Sequence, residues 1–333
     1  MKKIKMMMAA ALGVLVSCGS VKSGEEAIAA SRESKVVVAY VTSWSEVMPD
    51  PQYMTHINYA FGHVNESFNG VKIDNEERLR QIVDLRKQKP ELKVLLSIGG
   101  WGSGRFSEMA ANDEYRRAFV ADCARVVKEF ALDGIDIDWE YPTSSMANIS
   151  SSPDDTENFT LLMQDIRAAI GNEKELTLAT VASARYIDFK AILPSVDFVN
   201  IMAYDMASAP KHHSALYPSG HSGDITSDGA VTAHLKAGVP PSKLVMGMPF
   251  YGRGGDGYPS FQDYNKVGNT DTQYTEKWDE VAQVPYLADK NDTLVFGFEN
   301  PRSLAIKCQY ILDKDLLGGM YWDYSGDNEQ GDL

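Results

Sequence analysis

The chain has 333 residues, 46 acidic against 32 basic side chains, a formal net charge of −14 and 44% hydrophobic residues. That length suits one large domain or two small ones with a sizeable core, and the ordinary hydrophobic share excludes a disordered or fibrous chain. The acidic excess excludes general nucleic-acid binding and electrostatic attachment to an anionic membrane, which need clustered Lys and Arg; a neutral or cationic partner fits better.

The chain begins with Lys2, Lys3 and Lys5, an apolar run from Met6 to Val16, then Ser17 and Cys18. A basic start and a short apolar stretch make a secretory signal, too short to span a bilayer stably. Leu15-Val16-Ser17-Cys18 resembles the bacterial lipobox, in which Cys18 becomes the acylated first residue. An ordinary signal peptide with a chance cysteine is the alternative. The expected organisation is a signal at 1–17, a polar tether at 18–34 and one folded unit at 35–333. The protein is then exported and lipid-anchored on the periplasmic or cell-surface side of a bacterial membrane, touching the bilayer only through that lipid. A monomer is expected.

Strand patterns follow at residues 36–44, 56–64, 93–100, 134–140, 176–182, 196–205, 243–251 and 318–324. Helical patterns lie between them, at 75–88, 113–130, 156–170 and 227–238, with Asn112 placed to cap the second and Pro90 following the first. Eight strands with intervening helices predict a parallel α/β fold, a (β/α)8 TIM barrel. A doubly wound open sheet is the rival, but no Gly-rich phosphate loop follows the first strand. Residues 252–300, rich in Gly, Tyr, Asp and Asn, read as an insertion on the barrel rim between the seventh strand and its helix. Within it, residues 282–289 and 293–299 can pair as a hairpin around Lys290-Asn291-Asp292.

Cys123 and Cys308 each lie on or beside an apolar helical stripe and are expected as buried free thiols. The six histidines have no metal-like spacing, and His212-His213 reads as a solvated loop. There is no GxSxG, CxxC or HExxH, so nucleophilic-serine, redox and zinc-protease readings lack support. No cofactor and no metal are expected.

The fourth strand is the most informative segment. In Asp133-Gly134-Ile135-Asp136-Ile137-Asp138-Trp139-Glu140, alternation puts Asp136, Asp138 and Glu140 on one face and Ile135, Ile137 and Trp139 on the other. The apolar face suits the helices, so the carboxylates point into the barrel. Three buried carboxylates cannot all ionise cheaply, and a raised pKa on at least one supplies an acid protonated near neutral pH. An oxygen cage for Ca²⁺ or Mg²⁺ would usually draw on loops, and a solvated acidic edge would bury the wrong face.

DGIDIDWEYP, from Asp133 to Pro142, resembles the signature of glycoside hydrolase family 18, the chitinases and related endo-β-N-acetylglucosaminidases. Ser97 to Trp101 (SIGGW) resembles the family's third-strand motif, and Met202-Ala203-Tyr204-Asp205 its sixth. Pro249 to Arg253 and Met320 to Asp323 are similar to the seventh and eighth. The resemblance covers nearly all of the chain after Val36. It implies Glu140 as general acid and no enzymic nucleophile, because the substrate's own acetamido carbonyl attacks the anomeric carbon. It further implies that Asp138 accepts from the acetamido N–H, that Asp136 shares a proton with Asp138, and that Tyr204 donates to the carbonyl. Asp205 would help fix the sugar.

On the same resemblance Trp322 is the floor beneath the distorted sugar. Tyr40, Phe61, Trp101, Tyr141, Met202 and Tyr251 line the groove, through stacking on sugar faces where they are aromatic. Arg253 either touches substrate or pairs with the excess acids. Non-proline cis peptides are expected at Ala60–Phe61, Glu140–Tyr141 and Trp322–Asp323. The implied substrate contains N-acetylglucosamine: chitin first, the chitobiose core of N-glycans second. A sugar-binding lectin without turnover is the reading from another class.

The last strand pattern ends at Tyr324, and Ser325 to Leu333 is too short and polar for an eighth helix. The final helix is therefore expected to be missing, leaving part of an apolar outer face on the first and eighth strands.

Overall fold

A computed structural model describes residues 35–255, 257–267 and 273–333. The expected signal and tether, with Cys18, lie outside the described residues. Eight strands form the core: β1 (Val36–Thr42), β2 (His56–Val64), β3 (Lys93–Gly99), β4 (Gly134–Asp138), β5 (Glu175–Val181), β6 (Phe198–Met202), β7 (Leu244–Pro249) and β8 (Gly318–Trp322). Each pairs in parallel with its neighbours, and β8 returns to β1, so the barrel closes. The predicted (β/α)8 TIM barrel is the observed fold. Closure removes the free edges an open sheet would expose.

Outside the barrel run α1 (Glu76–Val83), α2 (Phe106–Ala111), α3 (Asp113–Glu129), α4 (Asp155–Ile170), α5 (Phe189–Ile192), α6 (Ser227–Lys236) and α7 (Pro301–Asp313). Their ends obey local chemistry. The Asn112 side chain accepts from the amides of Glu114 and Tyr115, as its position predicts. Asn300 and Ser303 form a reciprocal capping box at α7, with Pro301 opening the first turn.

The core lies between barrel and helices. Ile135 and Ile137 are wholly buried there, and Trp139 stacks on Phe106 at 5.2 Å and meets Phe159 edge-on at 6.0 Å. The apolar face of the fourth strand therefore points outward and its acids inward. Between β7 and α7, five short strands form a separate antiparallel sheet, in the order 262–263, 251–254, 294–297, 284–288 and 275–279. Its 284–288 and 294–297 strands pair as the expected hairpin.

Three expectations fail. His212 and His213 are buried, at 2% and 0% exposure: His212 bonds Asp279 at 3.2 Å and His213 approaches Asp205 at 3.5 Å. Both turn under the added sheet instead of facing water. Cys123 is buried, but Cys308 is exposed; it follows Lys307, which takes the inward position on α7 and reaches Glu299 and the Ser214 carbonyl. No helix follows β8 among the described residues, only a 3₁₀ turn at Tyr324–Gly326, yet the outer face there is covered. Tyr321 stacks on Phe250 at 4.3 Å and 6°, Ala39 and Val41 are buried, and Leu333 packs onto the same core.

Candidate active site

Asp136 stands deepest, with no solvent exposure. Four donors from four other strands converge on it. Tyr40 Oη (2.9 Å) and Ser97 Oγ (2.8 Å) donate to Oδ2, while Thr177 Oγ1 (2.6 Å) and Asn200 Nδ2 (3.3 Å) donate to Oδ1. Burial raises the Asp136 pKa, and these donors restrain the rise. Asp138 has no such company, and its buried Oδ1 has no hydrogen-bond partner among the described residues. Burial, then the charges of Glu140 and Asp136, push Asp138 well above the ordinary carboxylate range. Glu140 lies just past the end of β4, at the C-terminal rim, only 9% exposed. Burial pushes its pKa up to about 7, with Tyr141 pulling down and Asp205 pushing up. Burial on this crowded strand face thus raises the pKa of all three acids above the ordinary carboxylate value.

Tyr204 and Asp205 follow β6. Burial first, then the charges of Asp138 and Glu140, raise the Tyr204 pKa, so its hydroxyl stays a donor; its described hydrogen-bond partner is Met320 Sδ at 3.9 Å. Asp205 has positive φ (53°) and faces Arg253, which donates to both its oxygens at 2.7 and 2.6 Å. Burial opposes ionisation of Asp205, but Arg253 and His213 outweigh it and hold the carboxyl well below its usual range. Arg253 therefore pairs with an acid, one of the two readings its sequence allowed.

The aromatic side chains fall into separate contact groups. Phe61 stacks on Trp322 at 5.6 Å and 20°, and Tyr40 meets Trp322 at 5.6 Å. Tyr40 sits lower than a groove wall, 2% exposed with its hydroxyl committed to Asp136. In another group, Trp101 is 61% exposed and meets Tyr141, the residue after Glu140, edge-on at 6.4 Å. Met202, like Tyr204 and Trp322, is half-buried and packs against the inner cluster. Tyr251 is buried between Tyr204 at 6.1 Å and Phe261 at 4.5 Å. The three non-proline cis peptides occur at the three expected bonds.

Several residues of the site were not singled out by sequence. Exposed Trp44, just past β1, stands 6.4 Å from Trp322 and 6.3 Å from Phe61, and the half-exposed Phe261 lies within 5.3 Å of the Arg253 guanidinium. Tyr186 stacks on Tyr141 at 5.6 Å. Trp44 had a readable signal, an aromatic at the rim end of a barrel strand. Phe261 and Tyr186 are brought in by loops.

The family model described as Glycosyl hydrolases family 18 matches residues 36–327, which contain every residue of this site. The chain belongs to that family. It is 29% identical to Chitinase A1 of Niallia circulans over 92% of this chain, and spans 58% of that longer relative. Identity to mouse Chitotriosidase-1 is 31%, over 89% of this chain and 74% of the relative. Among solved structures, a family 18 N-acetylglucosaminidase from Paenibacillus barengoltzii aligns with a TM-score of 0.83 and 32% identity, over 89% of this chain and 97% of that one. A family 18 barrel also suits the outward Trp139 and the inward acids, since such barrels carry their chemistry at the C-terminal ends of strands.

Proposed function

We propose that this family 18 chain hydrolyses β-1,4-linked N-acetylglucosamine polymers, chitin or its oligomers, with retention of configuration. Glu140 carries the proposal: a rim carboxyl whose burial pushes its pKa up to about 7 holds a proton to give at neutral pH. The sugar to be cut rests over Trp322. Glu140 gives its proton to the glycosidic oxygen as that bond breaks, and the acetamido carbonyl oxygen bonds to the anomeric carbon, forming an oxazolinium. The lone Asp138 Oδ1 accepts from the acetamido N–H and offsets the positive charge. Tyr204 donates its hydroxyl to the carbonyl oxygen. Ionised Glu140 then takes a proton from water as that water attacks the anomeric carbon on the face the leaving group left, and the bond from the carbonyl oxygen to that carbon breaks, restoring the acetamide. Two displacements give retention.

Asp136 shares a proton with Asp138, and Phe61, Trp101, Tyr141, Met202 and Tyr251 line the groove. A second reading follows from the likeness to the Paenibacillus barengoltzii N-acetylglucosaminidase: single sugars released from chain ends. Mass spectrometry of products from chitin oligomers, beside a high-mannose glycoprotein, separates the readings. Internal cleavage of the oligomers is expected, and a ladder of single-sugar losses would favour the second. Cleavage of the glycoprotein alone would establish an N-glycan enzyme, and oligomers retained intact would establish a lectin.

The lipid anchor is proposed from the sequence around Cys18. Labelled fatty acid should enter the full chain and not a Cys18→Ala variant; equal labelling of the two would remove the anchor.

A further inference from the structure

Trp101 raises a mechanical question. It is 61% exposed, and its ring contact is an edge on Tyr141 at 6.4 Å, so packing alone does not hold the indole still. Its turn is built from glycines at φ values typical of glycine, 93° at Gly100 and 82° at Gly102, which give the backbone freedom that a groove residue cannot use. One end of the turn is tied to β4, where the Gly100 amide donates to Asp138 O at 2.9 Å. At the other end, the Ser103 hydroxyl meets His63 Nδ1 at 2.8 Å, and His63 Nε2 meets Asp74 Oδ2 at 3.1 Å.

Those partners stand on firm ground. His63 lies on β2. Asp74 is pinned by its own amide on Phe61 O at 3.0 Å and by Tyr59 Oη on its carbonyl at 2.9 Å. A carboxylate at Nε2 selects the tautomer protonated there and leaves Nδ1 as acceptor for the Ser103 hydroxyl. The same imidazole lies 6.2 Å from Phe61, which stacks on Trp322. A side chain at Gly100 would start 2.7 Å from that Phe61 ring, so the Trp101 turn and the Trp322 platform meet at this point.

We infer that Asp74, His63 and Ser103 form a positioning relay that fixes the Trp101 turn against the sugar-binding platform, and so sets affinity for polymer at Trp101. The same three residue types make up a nucleophilic-serine relay, but the Ser103 amide, a donor an oxyanion would need, is already given to Gly100 O at 2.9 Å. The inference rests on the proposed substrate contact of Trp101.

A double-mutant cycle on oligomer hydrolysis tests it. Trp101→Ala should raise KM by about tenfold, the order expected for one aromatic stacking contact. Ser103→Ala and His63→Leu should each raise KM several-fold, with the change in KM rather than kcat. In the Trp101→Ala background the same two changes should add almost nothing. His63→Asn, whose amide oxygen can stand where Nδ1 stood, should recover most of the loss. If Trp101→Ala leaves KM unchanged, the substrate contact itself falls and the relay with it. If Trp101→Ala raises KM but the relay variants do not, or add in full, the positioning role is overturned while the contact stands.

Discussion

Glu140→Gln is expected to lower kcat by about three orders of magnitude while leaving the fold intact, because general acid catalysis contributes about that much. The amide matches the carboxyl in shape but has no proton to give. The same assignment fixes the alkaline side of the activity profile. With burial raising the Glu140 pKa to about 7, the active form is the protonated one, and kcat/KM should fall about tenfold per unit at higher pH. Linkage gives a second sign. A carboxyl whose folded pKa is raised favours folding below its unfolded value of 4.5, and that contribution is lost as pH rises through about 7. The Gln variant has no such loss, so its stability relative to the wild type should rise across that window in urea titrations. Near-normal turnover in the variant would remove Glu140 as the acid.

The sequence carried the barrel and the acidic row because both rest on short-range periodicity. Asp136, Asp138 and Glu140 share a face whenever residues 134–140 are extended, whatever the rest of the chain does. Helix ends were equally local, as the Asn112 cap shows. What could not be read depends on register between distant strands. Tyr40, Ser97, Thr177 and Asn200 reach Asp136 across 96, 39, 41 and 64 residues of sequence. No pattern within any one strand announces that meeting. The inner cluster of the barrel explains Tyr40 as well: an aromatic near a strand end reads as groove wall, but here its hydroxyl is one of four donors to a buried acid.

Loops were harder still. His212 and His213 look solvated in a polar stretch, yet the added sheet covers them and gives them Asp279 and Asp205 as partners. Likewise the expectation that the final helix is left out predicted a bare face on β1 and β8, but Phe250 and Leu333 come in from beyond the strands to close it. Each failure has one cause. Burial of a loop residue is decided by what folds over it, which its neighbours in sequence do not encode.

A substrate whose acetamido group is replaced by hydroxyl is expected to bind but to be cut at least about a thousandfold more slowly, since an oriented internal nucleophile gains that much or more over an external one. The structure makes the expectation sharp by removing the usual substitute. A retaining enzyme without substrate assistance needs a second carboxylate to attack the anomeric carbon. Asp136 is buried below the site with four donors on its two oxygens, and both oxygens of Asp205 are held by Arg253. Asp138 has an oxygen unpaired among the described residues, but burial and the neighbouring acids raise its pKa and so reduce the ionised fraction that could attack. Its free lone pair suits an N–H donor, which the acetamide brings and the hydroxyl analogue lacks in that geometry. The analogue thus loses the nucleophile and the contact that orients it in a single change. Efficient cleavage of that substrate would sink the substrate-assisted route and return Asp138 to consideration as the attacking group.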